Sequence, residues 1–352
     1  MDMTPMNVKP GSILLCCIVT AGLNQMGCAS YSAREKRSPA TEFADHKNLS
    51  SENIEKLIRG TKIAITMDDL PKYSGDATAE ESIRATNSIL ATFHKYRVPE
   101  VYGFVNASWM VNDPGLKNIL DVWTASGYPI GNHTYDHLFL GEQTAAVFNQ
   151  DIDRNEAYLQ RYIRPHQTKY FRFPFLEEGA EPEKKMAVRK HLFAAGYKIA
   201  EVSLDFQDWT ITDAFIRCTK KGNLAGAEAA KAYYTTASQE ALEYTVRLTQ
   251  AMYGRKVPLV LLIHLGPIEM EMLDSLLHSW KRQGIEFIKL SEVMQDPIYS
   301  SAQSTDDFYP GNGSYLGQVL QGRHQTPESL HVIENIDPEA DPRIQNLCPD
   351  AT

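Results

Sequence analysis

From Lys62 onward the chain repeats one arrangement: a short apolar, β-branched run, a turn, and then apolar positions three and four apart. The short runs are "KIAIT" (62–66), "VYGFVNA" (101–107), "YPIGN" (128–132), "KYFRF" (169–173), "KIAEVSL" (198–204), "VPLVLLIHL" (257–265) and "IEFIKL" (285–290). Each has the length and composition of a strand. Between them, "ESIRATNSILATFHKY" (81–96) sets Ile83, Thr86, Ile89, Leu90 and Phe93 on one face, the stripe of an amphipathic helix. "PGLKNILDVWTASG" (114–127) does the same with Leu116, Ile119, Leu120 and Trp123, and has proline early and glycine late, as helix ends prefer. Further helices are expected over 143–163, 183–195, 224–252 and 268–283. Seven strands alternating with helices predict an α/β fold with parallel strands, and seven units suit a barrel better than an open sheet. In a barrel, chemistry gathers at the C-terminal ends of the strands.

The two ends of the chain break this pattern. Lys9 precedes a short apolar run, "SILLCCIVTAGL" (12–23), and then the small residues of "GCAS" (27–30). That is the layout of a secretory leader, too short for a spanning helix. Residues 1–29 are therefore expected to direct export to a periplasmic or secreted location. Lipidation at Cys28, and with it a membrane anchor through an N-terminal lipid, is the alternative. The polar stretch 30–59 reads as a linker. After Asp296 the periodicity fades, so 297–352 is expected to be an irregular extension. Beyond the leader only Cys218 and Cys348 remain, either as a disulfide tying the tail to the body or as two free thiols. The net charge of −9 argues against nucleic acid as a partner, since phosphate binding needs a basic surface.

Polar groups do follow the strands. Asp68 and Asp69 follow the first, His133 and His137 the third, Arg172 and Pro174 stand at the fourth, Asp205 and Asp208 follow the fifth, and His264 ends the sixth. Taken singly, each has a plain structural reading: a turn, a helical coincidence, a salt bridge, a cap, a core histidine. Taken together, Asp69, His133 and His137 form a two-histidine, one-carboxylate ligand set for a catalytic divalent metal. Asp68 is then placed to take a proton from water, with Arg172 holding it ionised. His264 is placed to protonate a leaving group, with Asp208 on its other ring nitrogen. Both aspartates reach one site only if the strand bends between them, because neighbours on a regular strand point to opposite faces.

These pieces resemble, in order, the five motifs of the polysaccharide deacetylases of the NodB-homology group, carbohydrate esterase family 4: "TMDDLP" (66–71), "HTYDH" (133–137), "RFPF" (172–175), "DFQDW" (205–209) and "LIH" (262–264). The resemblance covers residues 60–296. It implies a distorted (β/α)7 barrel, a divalent metal of the zinc or cobalt kind, and hydrolytic removal of N-acetyl groups from an amino-sugar glycan such as peptidoglycan or chitin. It makes Asp68 the base, His264 the acid, and Trp209, Leu262 and Pro174 the lining of the substrate pocket. Hydrolysis of another amide or an O-acetyl ester, and a non-catalytic carbohydrate-binding protein, are the competing readings. The chain departs from the family with Leu70 where glycine is usual and with "PFLEEG" after Arg172, which places Glu177 and Glu178 as an expected anionic rim. Trp109 and Phe139 are candidate sugar-stacking platforms.

Overall fold

The computed structural model describes residues 51–73, 77–309, 312–330, 332 and 337–349. The expected leader, with Cys28, and residues 30–50 of the expected linker lie outside these. Among the described residues seven strands form, β1 (Lys62–Leu70), β2 (Val101–Val105), β3 (Ile130–Asn132), β4 (Lys169–Phe171), β5 (Tyr197–Ile199), β6 (Leu259–His264) and β7 (Glu286–Phe287). They make one sheet in the order β5-β4-β3-β2-β1-β6, with β7 paired to the start of β1. Every pairing is parallel. The sheet curls until it meets itself: beyond β5, Leu204 bridges to Leu261, with Leu204 N donating to Val260 O and Leu262 N to Leu204 O, both at 3.0 Å. The expected distorted (β/α)7 barrel is therefore present.

The main helices are α1 (Ser51–Ile58), α2 (Ala79–Lys95), α3 (Lys117–Ala125), α4 (Ala145–Leu159), α5 (Pro182–Ala194), α6 (Asp208–Lys220), α7 (Leu224–Tyr253), α8 (Pro267–Arg282) and α9 (Tyr315–Gly322). Helix α2 opens with a reciprocal cap, Thr78 on Glu81 N and Glu81 on Thr78 N, which satisfies two otherwise orphaned donors. Helix α1 lies in the stretch read as linker. Helix α6 was not expected, because its β-branched and aromatic residues are weak helix formers. Among the described residues no helix is long and apolar enough to cross a membrane.

Strand alternation divides the core in two. Ile63, Ile65, Met67, Leu259, Leu261 and Ile263 face outward and pack against the surrounding helices. Ala64, Tyr102, Phe104, Tyr170, Ala200 and Val260 face inward, where they meet Leu290, Val293, Tyr299, Ala302, Tyr315 and Val319. The expected irregular extension is thus a set of short helices whose side chains complete the barrel's interior. It is fastened by a Cys218–Cys348 disulfide to α6 and by Tyr233 Oη donating to Asp341 at 2.7 Å.

Leu70 belongs to this packing. Its side chain is fully buried, and a Cβ on Gly103 of β2 would lie 2.8 Å from Leu70 Cδ2 and 2.9 Å from Trp123. The leucine points into the outer core, over a glycine that makes room for it, and leaves the site unobstructed.

Candidate metal centre and its acid–base partners

The two aspartates reach one site through a bulge. Met67 pairs with Gly103 and Leu70 with Val105, so β1 advances three residues where β2 advances two. One extra residue in a strand bends it and re-aims its side chains. Asp69 takes φ +62°, and the bend that the sequence demanded is in place.

The histidine loop is held differently from expectation. Residues 133–137 do not form a helical turn; Thr134 and His137 adopt φ +64° and +54°. Buried polar side chains hold this backbone. Asp151 accepts from Tyr135 N at 2.8 Å and Asp136 N at 3.0 Å, while Asn106 Nδ2 donates to His133 O and Thr134 O. Asn132 Oδ1 accepts from Thr134 N and from Asn155 Nδ2. Neither Asp151 nor the three asparagines carries a signal that separates it from ordinary loop and helix polar residues.

Asp69, His133 and His137 each present one ligand atom, all within 4.8 Å of one another. Asp69 Oδ1 stands 3.5 Å from His133 Nε2 and 3.4 Å from His137 Nε2. Those separations exceed a good hydrogen bond, and the same oxygen is buried with no hydrogen-bond partner. His133 Nδ1 donates to Arg172 O at 2.9 Å, which turns the Nε2 lone pair inward. Burial, His137 and Arg172 hold His133 well below the ordinary histidine value, so the ring is neutral. An orphaned buried carboxylate oxygen facing two imidazole lone pairs fits a divalent cation.

Asp68 sits beside this trio, 2% exposed, its Oδ2 3.7 Å from His133 Nε2. Arg172 Nη1 donates to both of its oxygens at 3.2 Å. The guanidinium is itself fixed by Ala200 O at 2.5 Å, by Thr66 Oγ1 at 3.1 Å and by the Phe104 face. Burial raises the Asp68 carboxyl above its ordinary value, and Arg172 and His264 pull it only part of the way back. On the other wall Asp208, fully buried, accepts from His264 Nδ1 at 2.8 Å and from His264 N at 2.7 Å. Burial opposes the imidazolium, but Asp208 and then Asp69 and Asp68 outweigh it and raise His264 to about 10. Asp205 accepts from Gln207 N at 2.7 Å, and burial pushes its carboxyl up to about 6.

These groups share a cavity of about 820 Å³ lined by Asp68, Asp69, His133, His137, Trp209, Leu262 and His264 among others, a size suited to a small ligand or part of a larger one. Tyr73 Oη donates to Trp209 O at 2.8 Å, which ties the tryptophan to the loop after β1. Pro174 is buried and does not line the cavity; Phe175 does, 60% exposed at φ +59°, its ring 4.5 Å from that of His137. Phe139 leans on Phe175, and Trp109 lies under Lys72.

The expected anionic rim at Glu177 and Glu178 is absent. Glu177 is 7% exposed and accepts from Gly141 N and Gly179 N. Glu178, 1% exposed, takes two 2.8 Å bonds from Arg189, with Lys185 at 3.5 Å. Arg189 also donates to Ser301 O and Ser304 O, so Glu178 braces the Phe175 loop against the C-terminal extension, while Glu177 ties it to the loop at Gly141.

Residues 56–209 match the polysaccharide deacetylase family model. That span includes Asp68, Asp69, His133, His137, Arg172, Asp205, Asp208 and Trp209, and ends before Leu262 and His264. Over 255 residues the chain is 27% identical to the peptidoglycan-N-acetylglucosamine deacetylase PgdA of Listeria monocytogenes, covering 72% of this chain and 43% of that protein. The chain therefore spans less than half the length of the curated relatives it matches. Solved structures similar to it include a carbohydrate esterase family 4 pseudoenzyme from Bacillus anthracis, at 15% identity, TM-score 0.44, over 67% of this chain and 66% of that one. The peptidoglycan deacetylase PdaC of Bacillus subtilis matches at 18% identity, TM-score 0.42, over 68% and 92%.

Proposed function

We propose that this chain, whose residues 56–209 match the polysaccharide deacetylase family model, hydrolyses N-acetyl groups from amino-sugar glycans. The observation that carries this reading is the Asp69–His133–His137 trio flanked by two separate proton-transfer groups, a carboxyl and an imidazole held by its own carboxylate. A binding protein needs neither an acid nor a base at such a centre.

Asp69, His133 and His137 would hold a divalent metal, zinc by preference, since an oxygen and two neutral imidazoles suit it. Such an ion supplies Lewis-acid activation of water and of the amide carbonyl. Asp68 accepts the proton that the attacking water gives up, and Arg172 keeps its carboxylate aimed. His264 returns a proton to the leaving amide nitrogen, which the neutral imidazole, its one N–H directed to Asp208, could not do. Asp208 fixes the imidazole by one ring nitrogen and leaves the other for the substrate. Trp209 and Leu262 offer an apolar recess for the acetyl methyl, and Phe175 offers a ring face for the sugar. Peptidoglycan-like or chitin-like chains carry the group this arrangement removes. The expected leader and the Cys218–Cys348 disulfide favour a periplasmic or secreted location. Residues 60–296 plus the interior-filling extension would act as one catalytic unit.

The test is acetate release from N-acetylated peptidoglycan fragments and chito-oligosaccharides, with metal removed and restored. Activity that follows the metal, and an Asp68→Asn variant that keeps the metal but loses on the order of 10²–10⁴-fold in turnover, are expected. No acetate from any N-acetyl sugar by the metal-loaded protein would overturn the proposal.

A further inference from the structure

Behind the Asp208–His264 pair lies a buried group that the reaction above does not use. Glu269, in the first turn of α8, is 1% exposed, yet among the described residues neither of its carboxyl oxygens accepts a hydrogen bond of ordinary geometry. Near it, Thr212 Oγ1 and Tyr234 Oη are likewise buried without partners. Buried polar atoms almost always find partners, so a cluster of this kind demands an explanation.

Its location supplies one. Gly266 stands two residues after His264, and a Cβ there would lie 2.7 Å from Glu269 Oε2 and 3.4 Å from Thr212 Oγ1. The absent side chain is what lets the Glu269 carboxyl approach the back of the acid pair, where it comes within hydrogen-bonding reach of Asp208. Asp208 already accepts two bonds from His264 and has lone pairs to spare. Two carboxyl groups in contact in a space without water-exposed surface hold a proton between them, because both cannot be charged.

We infer that Glu269 is a positioning residue: its carboxyl donates a hydrogen bond to Asp208 and so sets how strongly Asp208 holds the His264 ring. The role rests on the hydrolase reading of the site. Burial, and then the charge of Asp208, push Glu269 well above its ordinary value, which agrees with a carboxyl that donates. The consequence for the acid is directional. A donor on Asp208 spreads its negative charge, weakens its grip on the imidazolium, and leaves His264 readier to release its proton. The groups that face His264 are Asp208 from α6, Asp205 from the loop before it, Asp68 and Asp69 from β1, His133 from the loop after β3, and Tyr73 edge-on. Those that face Glu269 are Asp208 and Thr212 from α6, Tyr234 from α7 and Tyr73 from the loop after β1.

The experiment is NMR on the zinc-loaded protein, following the side-chain carboxyl carbon of Glu269 and the ring nitrogens of His264 through a pH titration. An un-ionised Glu269 at neutral pH is expected. Glu269→Gln keeps a donor and should leave the His264 titration in place. Glu269→Leu should raise it by roughly one pH unit, with metal content unchanged, and carry the alkaline limb of kcat with it. A purely structural role would move stability and neither of these. An ionised Glu269 at neutral pH, or a His264 titration unmoved in Glu269→Leu, overturns the inference; if that variant fails to fold, the Glu269 resonance of the unsubstituted protein decides. Neither reading needs turnover, so a protein that hydrolyses no glycan would sink the hydrolase proposal and leave this measurement standing.

Discussion

Arg172→Met removes the guanidinium that faces both oxygens of Asp68 at 3.2 Å. Methionine keeps a similar apolar volume over Phe104, so the loss is chiefly electrostatic. The carboxyl left behind is 2% exposed, and removing one partner of a buried pair costs about 3–5 kcal/mol. Against a stability of about 5–15 kcal/mol the variant remains folded at moderate temperature. The pH dependence separates this cause from lost packing. The native Asp68 carboxyl already lies above its ordinary 3.8 because burial wins over Arg172; without the guanidinium it rises further. A carboxyl with a folded pKa above its unfolded one weakens the fold as pH climbs past the unfolded value. The deficit of the variant should therefore be smallest below 3.8, where Asp68 is neutral in both states. It should grow as pH rises through the native and then the variant pKa of Asp68, and level off above them. Urea denaturation of the metal-free protein across a pH series measures it. In an Asp68→Asn background the same substitution should cost only about 1 kcal/mol, the worth of ordinary hydrogen bonds. An equal deficit at about pH 4 and about pH 7.5, in both backgrounds, would refute the linkage reasoning.

Four further outcomes are expected. His133→Ala should lose zinc and activity together, read by metal analysis and acetate release, while Asp151→Ala should weaken metal affinity by about 10–100-fold through loosening of the 133–137 loop. Replacing both Cys218 and Cys348 by serine should lower stability by about 2–4 kcal/mol, since the bond closes a long loop of the unfolded chain; an unchanged urea midpoint would count against the tail's being fastened there. Gly103→Ala should cost about 1–3 kcal/mol by overpacking against Leu70 and Trp123, and adding Leu70→Ala should recover part of it, which a double-mutant cycle checks.

The sequence carried the barrel because each strand is a short apolar run and the chemistry follows the strands, both local properties. The candidate metal trio and the Asp68–Arg172 and Asp208–His264 pairs were legible for the same reason. What escaped it depends on contacts between distant segments. Whether Asp68 and Asp69 share a site is decided by the register of β1 against β2. The path from His133 to His137 is set by Asn106, Asn132, Asp151 and Asn155, which belong to other elements. Glu178 reads as surface charge until Arg189 and Lys185 are brought over it. The departure at Leu70 had no visible reason in the sequence because the glycine that receives it lies on the neighbouring strand. Phe175 gained its exposure from a left-handed backbone that no residue type announces.

The inward-facing residues contributed by the C-terminal segment also bear on how the chain reaches its fold. The first strand is completed on one side only when residues 259–264 arrive, nearly two hundred positions later, and the interior is filled only by Tyr299, Tyr315 and Val319. Such distant pairings close large loops before any contact offsets the lost freedom, and folding of this kind is slow. The span that matches the family, ending at 209, is consequently not a unit that can be cut out and expected to fold. A fragment ending there leaves β1 with a bare edge and Ala64, Tyr102 and Tyr170 open to water, the ingredients of aggregation rather than of a smaller enzyme.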